Sequence, residues 1–504
     1  MRSRSKTLLL IAGSVAVVLL AVGCNDTLRQ FISPVPAPTG DPGALANAIT
    51  LSTNPAALVV PTPNVTSGSN MHIDVSGDSA AGIVPLGLNP VFMGISAGRV
   101  FVINKGDPSN LAANPPTVSV YSALSPLGAP VTTVTLPNTG PNAVVTPVAG
   151  GTSSTANIYL ANSGSNNVSV IGNGVLAVSA SINLPAGDSK PVMIAGNATN
   201  SKIFVVNQGS NNVTEISTVD NTIIKDLAVG SQPVWAVMSS DGLFVFVVNQ
   251  GSGSVSVIDT TFDSVIATIT VGSLPNFAFY EPTLKRVYVS NTGSPSISVI
   301  NANNINGSNL PVKLKDITVS GNPTSITALA NGTRAYAALG NCPSTAGSPI
   351  NHTTLIPVLA TCTGNQVSVI DTLALQETGT IAVGPGAVAI AASSDSSRVY
   401  VVSANDVTTV RDDVHVPNCT DNNCVAGPVQ PDRTFLTPSI SIIKTSTNAV
   451  LATPVNAGIV SRPLPTFHIP QQDPNCVAAI DPNFNDEVVL PCPLQQPFVV
   501  LTFP

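Results

Sequence analysis

Apolar and polar positions along this chain fall into a phrase that recurs. Its clearest copy is "VFVVNQGSGSVSVIDTTFDSVIATITVG", Val245 to Gly272. A nearly continuous apolar run comes first. An Asn and Gly-Ser turn, an alternating run, a polar turn at Asp259–Asp263 and another strand-like run follow. Further copies start at Val100 ("VFVINKGD"), Ile158 ("IYLANSGSNNVSVI"), Ile203 ("IFVVNQGSNNVTEI") and Val287 ("VYVSNTGSPSISVI"). Looser ones start at Ala335 ("AYAALGNC") and Val399 ("VYVVSAND"). A short continuous apolar run predicts a strand covered on both faces. The Asn-x-Gly turn predicts a hairpin, because both residues tolerate positive φ.

A proline ahead of each apolar run sets the period: Pro90, Pro141, Pro191, Pro233, Pro275, Pro323 and Pro385, with Pro463 as an eighth. Proline suits the first residue of a strand, where its missing N–H costs no ladder bond. The steps from Pro191 to Pro233 and from Pro233 to Pro275 are 42 residues each. That length holds four short strands, the unit of a β-propeller blade. Longer steps come from insertions, chiefly 342–364 and 406–437.

The "VYVSN" and "VFVVN" runs, the following "VSVID", the "VIATITVG" strand and the next proline resemble the YVTN-type β-propeller repeat, over roughly residues 70–455. The resemblance implies an all-β fold, a ring of four-stranded blades around a central channel. Seven full units run from Pro90 to about Val455. "GSNMHIDVSGDSAAGIVPLG" (Gly68 to Gly87) reads as the second half of a further unit. Pro463 and "FVVLTF" (Phe498 to Phe503) read as its first half. Mixing strands from both chain ends in one blade closes a ring and removes exposed edges. The motif count is then eight, with seven as the alternative, in a monomeric ring. The family resemblance says little about function, since such repeats serve surface and exported proteins of varied role.

Composition agrees with short strands and turns. Charged residues make up 9% of the chain and aromatics 4%, with 43 prolines; about 25% charged is ordinary. β-Branched residues, Gly, Asn and Pro fill the difference. The net charge is −7. Nucleic-acid binding needs a basic stripe to displace counterions, and none is visible.

The N-terminus and the cysteines point to export. Arg2, Arg4 and Lys6 precede an apolar run from Leu8 to Val22, which ends in "LLAVGC". The run is shorter than the roughly 20 residues that span a bilayer. With Gly23 before Cys24 the stretch resembles a bacterial lipoprotein signal, although Ala21 stands where leucine is commoner. Cys24 would carry the lipid, anchoring the chain to a bacterial membrane so that it faces the periplasm or the cell exterior. The chain divides into a signal at 1–23, a lipidated cysteine and Pro-rich tether at 24–46, and the propeller at 47–504. The other six cysteines form three close sequence pairs: Cys342 with Cys362, Cys419 with Cys424, and Cys476 with Cys492. Disulfide staples in an oxidising compartment are the simplest account. A metal site at His415, Cys419 and Cys424 lacks the paired Cys-x-x-Cys or His pattern that zinc sites carry.

Residues suited to catalysis are sparse on the inner strands. No charged residue or histidine occurs within three positions after any of the first seven prolines, so neither acid–base nor metal chemistry finds its groups there. Phe92, Met193, Trp235 and Phe277 fall at the channel mouth, where core packing is the plainer expectation. Arg99, Lys202, Arg286, Arg334 and Arg398 each precede an apolar run. They are expected to solubilise and protect strand edges; a positive ring for an acidic glycan or membrane surface is the sharper reading. His72, His352, His415 and His468 are scattered, and no G-x-S-x-G elbow or phosphate loop occurs. The expectation is a non-catalytic binding or scaffold module for an envelope protein or glycan, without cofactor, using the two insertions as contact surface. The alternative is an enzyme similar to lactone-hydrolysing or quinone-dependent propellers, its site built from insertion loops.

Overall fold

The structure, a computed structural model, describes residues 47–53, 67–74, 79–88, 90–96, 99–107, 110–122, 130–137, 145–146, 157–172, 174–196, 201–303, 305, 309–342, 362–403, 407–410, 418–420, 423–425, 433–436, 439–451, 455–456 and 496–503. The signal and tether, Cys24, Pro141, Pro463, Cys476, Cys492, His352, His415 and His468 lie outside them.

Every regular element among the described residues is a strand. The first are β1 (Asn47–Thr53), β2 (Ser67–Asp74) and β3 (Ser79–Leu88). Next come β4 (Pro90–Ser96), β5 (Arg99–Asn104), β6 (Thr117–Ser122) and β7 (Thr132–Thr135). Then β8 (Val145–Thr146), β9 (Ile158–Asn162), β10 (Asn167–Gly172) and β11 (Ala177–Asn183). β12 (Pro191–Ala195), β13 (Lys202–Asn207), β14 (Asn212–Ser217) and β15 (Ile223–Ala228) follow. The next four are β16 (Pro233–Met238), β17 (Phe244–Asn249), β18 (Ser254–Asp259) and β19 (Ser264–Thr270). After them stand β20 (Pro275–Glu281), β21 (Arg286–Asn291), β22 (Ser296–Asn301) and β23 (Val312–Thr318). β24 (Ser325–Ala328), β25 (Arg334–Leu339), β26 (Gln366–Asp371) and β27 (Gln376–Ala382) come next. β28 (Ala387–Ala392) and β29 (Arg398–Ser403) lead into an insertion with β30 (Val407–Val410), β31 (Asn418–Thr420), β32 (Asn423–Val425) and β33 (Arg433–Leu436). The last are β34 (Ser439–Lys444), β35 (Ala449–Val450), β36 (Val455–Asn456) and β37 (Gln496–Phe503).

Six sheets take four consecutive strands each, from β4–β7 to β24–β27. A further sheet joins β28, β29, β34 and β35, with β36 beside β34. Another has the order β37-β1-β2-β3, and the insertion forms two small hairpins, β30 with β33 and β31 with β32. Pro90, Pro191, Pro233 and Pro275 each open a first strand, while Pro323 and Pro385 stand just ahead of β24 and β28. The first strands β12, β16, β20, β24 and β28 pack against one another in chain order.

The sheet built from both chain ends is divided differently from the motif reading. Three N-terminal strands meet one C-terminal strand, with β1 paired along its length to β37. β37 takes the first-strand place and carries its own proline, Pro497. β1, "NAITLST", lacks the Asn and Gly-Ser turn by which the repeat is recognised.

Alternation of strand direction gives the sheets two faces. The linker face carries the second-to-third-strand turns and the sheet-to-sheet linkers. The other, here the clasp face, carries the first-to-second and third-to-fourth turns. On the linker face Gln208 N donates to Lys190 O (3.0 Å) and Gln250 N to Gln232 O (3.0 Å), tying turn to linker. Second strands are the most enclosed, since sheets stack on both their sides. Phe101, Phe204, Phe246, Tyr159, Tyr288, Tyr336 and Tyr400, at one repeat position, are fully buried. Fourth strands such as β15 and β27 are mostly exposed.

Candidate functional site

The asparagine of the repeat is a strand residue with a structural task. Asn249 is buried and its Nδ2 donates to Ser254 Oγ (3.2 Å) and Ser256 Oγ (3.0 Å). Asn291 donates likewise to Ser296 (3.1 Å) and Ser298 (3.0 Å), Asn207 to Asn212 (3.1 Å) and Thr214 (2.8 Å). Each amide therefore locks the second strand to the third. In the tight turns positive φ falls on the last residue, Asn166, Asn211 or Gly253, and not on the first glycine, whereas in the longer connection after Asn104 it falls on Gly106 itself. The first glycine of a tight turn is required by a close approach. A Cβ on Gly251 would lie 2.9 Å from Ser231 Oγ, and one on Gly293 2.7 Å from Ser273 Oγ. The hairpin expectation holds in outcome, with a different physical cause.

On the clasp face Lys202, Arg286 and Arg334 bond across to the next sheet, which corrects their reading as merely solubilising residues. Lys202 Nζ donates to Thr260 O (2.9 Å) in the next sheet and pairs with Asp263 there. Arg286 donates to Thr372 O, and Arg334 to Thr445 O (2.6 Å) and Asn448 Oδ1 (2.9 Å). Arg398 is fully buried. The threonines that receive these bonds use their own hydroxyls within their sheet: Thr260 to Gly242 O (2.8 Å), Thr372 to Gly332 O (2.6 Å), Thr445 to Ser396 O (2.7 Å). The sequence signal was present as the Thr that follows "VID", "VID" and "IIK". These charges clasp one sheet to the next.

Glu215 departs from the repeat, standing where Val170, Val257, Val299 and Val369 are buried core residues. Its carboxylate is also buried, 2.7 Å from Lys202 Nζ. Burial pushes it up to about 7, with Lys202 pulling down and Asp263 pushing up. Burial works to lower Lys202, but Asp263 and Glu215 outweigh it and hold the ammonium above its ordinary value. A group titrating near neutrality is suited to proton transfer. With Glu215 buried and occupied by its neighbours, this trio serves as a sheet-to-sheet ion cluster.

The other sequence candidates do not converge. Phe92, Met193 and Trp235 belong to the buried core, and Phe277 packs against it. The rings of Trp235 and Phe277 are 4.7 Å apart, and Trp235 Nε1 donates to Ala278 O (3.1 Å). Cys342 and Cys362 are joined in a buried disulfide, a mark of an oxidising, exported setting. The backbone sets Cys419 directly opposite Cys424 in the β31–β32 hairpin. His72 lies in β2, opposite Ile49. No group of three His, Cys, Asp or Glu side chains among the described residues is placed to hold a metal. No helix among them is long and apolar enough to cross a membrane.

Chemical variety collects on the linker face. Lys190, Gln208, Gly209, Asn211 and Gln232 line a recess of about 290 Å³ there. The buried Gln208 amide takes no hydrogen bond at either end. Lys105 holds the place equivalent to Gln208, and burial brings it down to about 8. The second-to-third-strand connections are also unequal. In four consecutive sheets they are the tight turns 163–166, 208–211, 250–253 and 292–295. In the other four they are the longer segments 340–365, 404–438, 54–66 and 105–116. Both insertions predicted as contact surface are thus connections of the same kind, in neighbouring sheets.

No family model matches the chain, and no curated protein matches it. Among solved structures, dihydro-heme d1 dehydrogenase NirN in complex with DHE is 12% identical, with a TM-score of 0.51 over 81% of this chain and 73% of that one. A catalytically inactive virginiamycin B lyase from Staphylococcus aureus with quinupristin is 15% identical, with a TM-score of 0.43 over 70% and 95%. The Cps50 (Swd1) β-propeller domain of Myceliophteria thermophila is 7% identical, with a TM-score of 0.45 over 63% and 94%. What the chain shares with these structures is a fold: they are β-propeller proteins, and its all-β array of four-stranded antiparallel sheets is similar to theirs.

Proposed function

We propose that this chain is a lipid-anchored envelope propeller of eight blades that binds or scaffolds a protein or glycan through its linker face. Closure of the ring is supported by β37, which pairs with β1 and lies against both β28 and β4. Export is supported by the disulfide, and anchoring by the signal-like sequence ending at Cys24. The observation that carries the binding role is the unequal linker face. Four neighbouring sheets extend their connections while four keep tight turns, which gives a symmetric frame one differentiated side. Loops on a rigid frame are where binding residues concentrate. The repeated polar groups are consumed inside the fold, as the asparagine locks and cation clasps show, and offer no convergent catalytic set.

A cross-linking pull-down from native membranes tests this, comparing the whole chain with one whose residues 406–437 are replaced by a short turn. A discrete partner enriched by the first and lost from the second is expected. No enrichment with either removes the scaffold reading. Turnover of a lactone or quinone substrate that also requires the insertion would establish the enzymatic alternative.

A further inference from the structure

We propose that the clasp face lies against a bilayer of zwitterionic lipid, with the tips of its third-to-fourth-strand turns entering the interface. Four of these turns hold a large apolar side chain in open solvent: Val175 is 85% exposed, Val219 82%, Phe262 77% and Leu373 75%. Each stands one or two residues before the positive-φ residue that closes its turn, at Leu176, Asn221, Asp263 and Leu375. The turn itself does not require them, since Ser446 and Thr447 hold these places before Asn448. The polar turn predicted at 259–263 thus presents a phenylalanine. Exposed apolar groups repeated on one side of a molecule mark a surface that meets another apolar phase.

The chain path says which phase. β1 is a second strand, so it starts on the clasp face, with Asn47 opposite Phe503. The 24–46 segment therefore joins the fold on the same face as the apolar tips. This inference rests on the lipid that the proposed function assigns to Cys24, which would hold this face toward the membrane. The long connections then point away from it. Charge selects the lipid. Asp220, Asp241, Asp371 and Asp395 share the face with Lys285, while Lys202, Lys225, Arg286 and Arg334 are turned into cross-sheet bonds, so the face carries no net positive charge to draw an anionic lipid. Such a surface suits headgroups without net charge and disfavours anionic ones.

Tryptophan quenching by brominated phosphatidylcholine tests the contact with the full-length chain on vesicles. Trp235 is the sole native tryptophan and is buried, so it supplies a constant background. Phe262→Trp probes the clasp face, and Ala186→Trp, on an exposed linker residue, the opposite one. Phe262→Trp should lose at least half its added emission and Ala186→Trp none. Replacing part of the lipid by phosphatidylglycerol should weaken the effect. Flotation of the Cys24→Ser chain reads the anchor separately. If that chain floats as well as the parent, the anchor reading fails, and the face is judged by quenching of Phe262→Trp in the Cys24→Ser background. There, quenching of Phe262→Trp at the parent's lipid concentration, with Ala186→Trp unquenched, supports the face on its own. Quenching of Ala186→Trp instead, or of neither on vesicles that carry the protein, overturns it.

Discussion

At the residue scale, the repeat is written in pairs of side chains that leave each other no room. Gly272, in the linker before Pro275, faces Asn291: a Cβ there would fall 2.5 Å from the Asn291 Cγ. Gly272→Ala should lower stability by about 1–3 kcal/mol through overpacking. Combining it with Asn291→Ser should cost less than the sum, which a double-mutant cycle in urea reads directly. Additive losses would show that the two do not meet. Glu215 makes the opposite case, one position where the repeat is broken. Its carboxyl titrates near 7 in the fold against an ordinary 4.5. Between those values the folded chain keeps a proton that the unfolded chain loses, so this group's contribution makes stability fall as pH rises from 4.5 to 7 and level off above. The shift corresponds to at most about 3 kcal/mol. Glu215→Val restores the repeat residue and leaves Lys202 its partner Asp263. The variant should lose this part of the difference between melts at pH 5 and pH 8; an unchanged difference would show that Glu215 is not the group responsible.

At the element scale, stacked sheets need more than apolar faces to hold their angular register. The clasps supply it, each running from the start of one second strand to a third-to-fourth turn in the next sheet. Arg334 reaches Thr445 O and Asn448 Oδ1, and Tyr336 Oη also meets Asn448 at 2.7 Å. Arg334→Met keeps the stem and removes the donors, and should cost about 1–3 kcal/mol in urea unfolding; a loss within error would mean the sheets hold by packing alone. Strand order, period and the prolines at β4, β12, β16 and β20 were legible because burial on both sides writes a continuous apolar run. The clasps were not, because an arginine before a strand reads the same whether it faces water or a neighbouring turn. Glu215 was visible in "NVTEI" as a misfit. Its partner Asp263 lies a sheet away, and a sequence does not say which turn a strand start will face. β1 was missed for a local reason: it pairs with the far end of the chain and needs no turn signal of its own.

At the scale of the whole molecule, the question is whether the array behaves as a line or a ring. In a linear repeat array each unit touches only its neighbours, so the ends fray first and stability grows with each unit added. Here the first described strand, β1, has β2 on one side and β37 on the other. Removing residues 496–504 would leave the inner edge of β1 unpaired, an open row of N–H and C=O groups from Asn47 to Thr53. Bare edges recruit strands from other chains. The truncated chain should therefore melt at a lower temperature with a broader transition, and light scattering should detect larger species than the whole chain forms. A truncated chain that matched the parent's state of assembly and melted as sharply would show that β37 is a decoration on an array already complete without it. The proposed ring would then have to close between β28 and β4 directly, with seven blades. The same measurement therefore decides both the closure and the blade count.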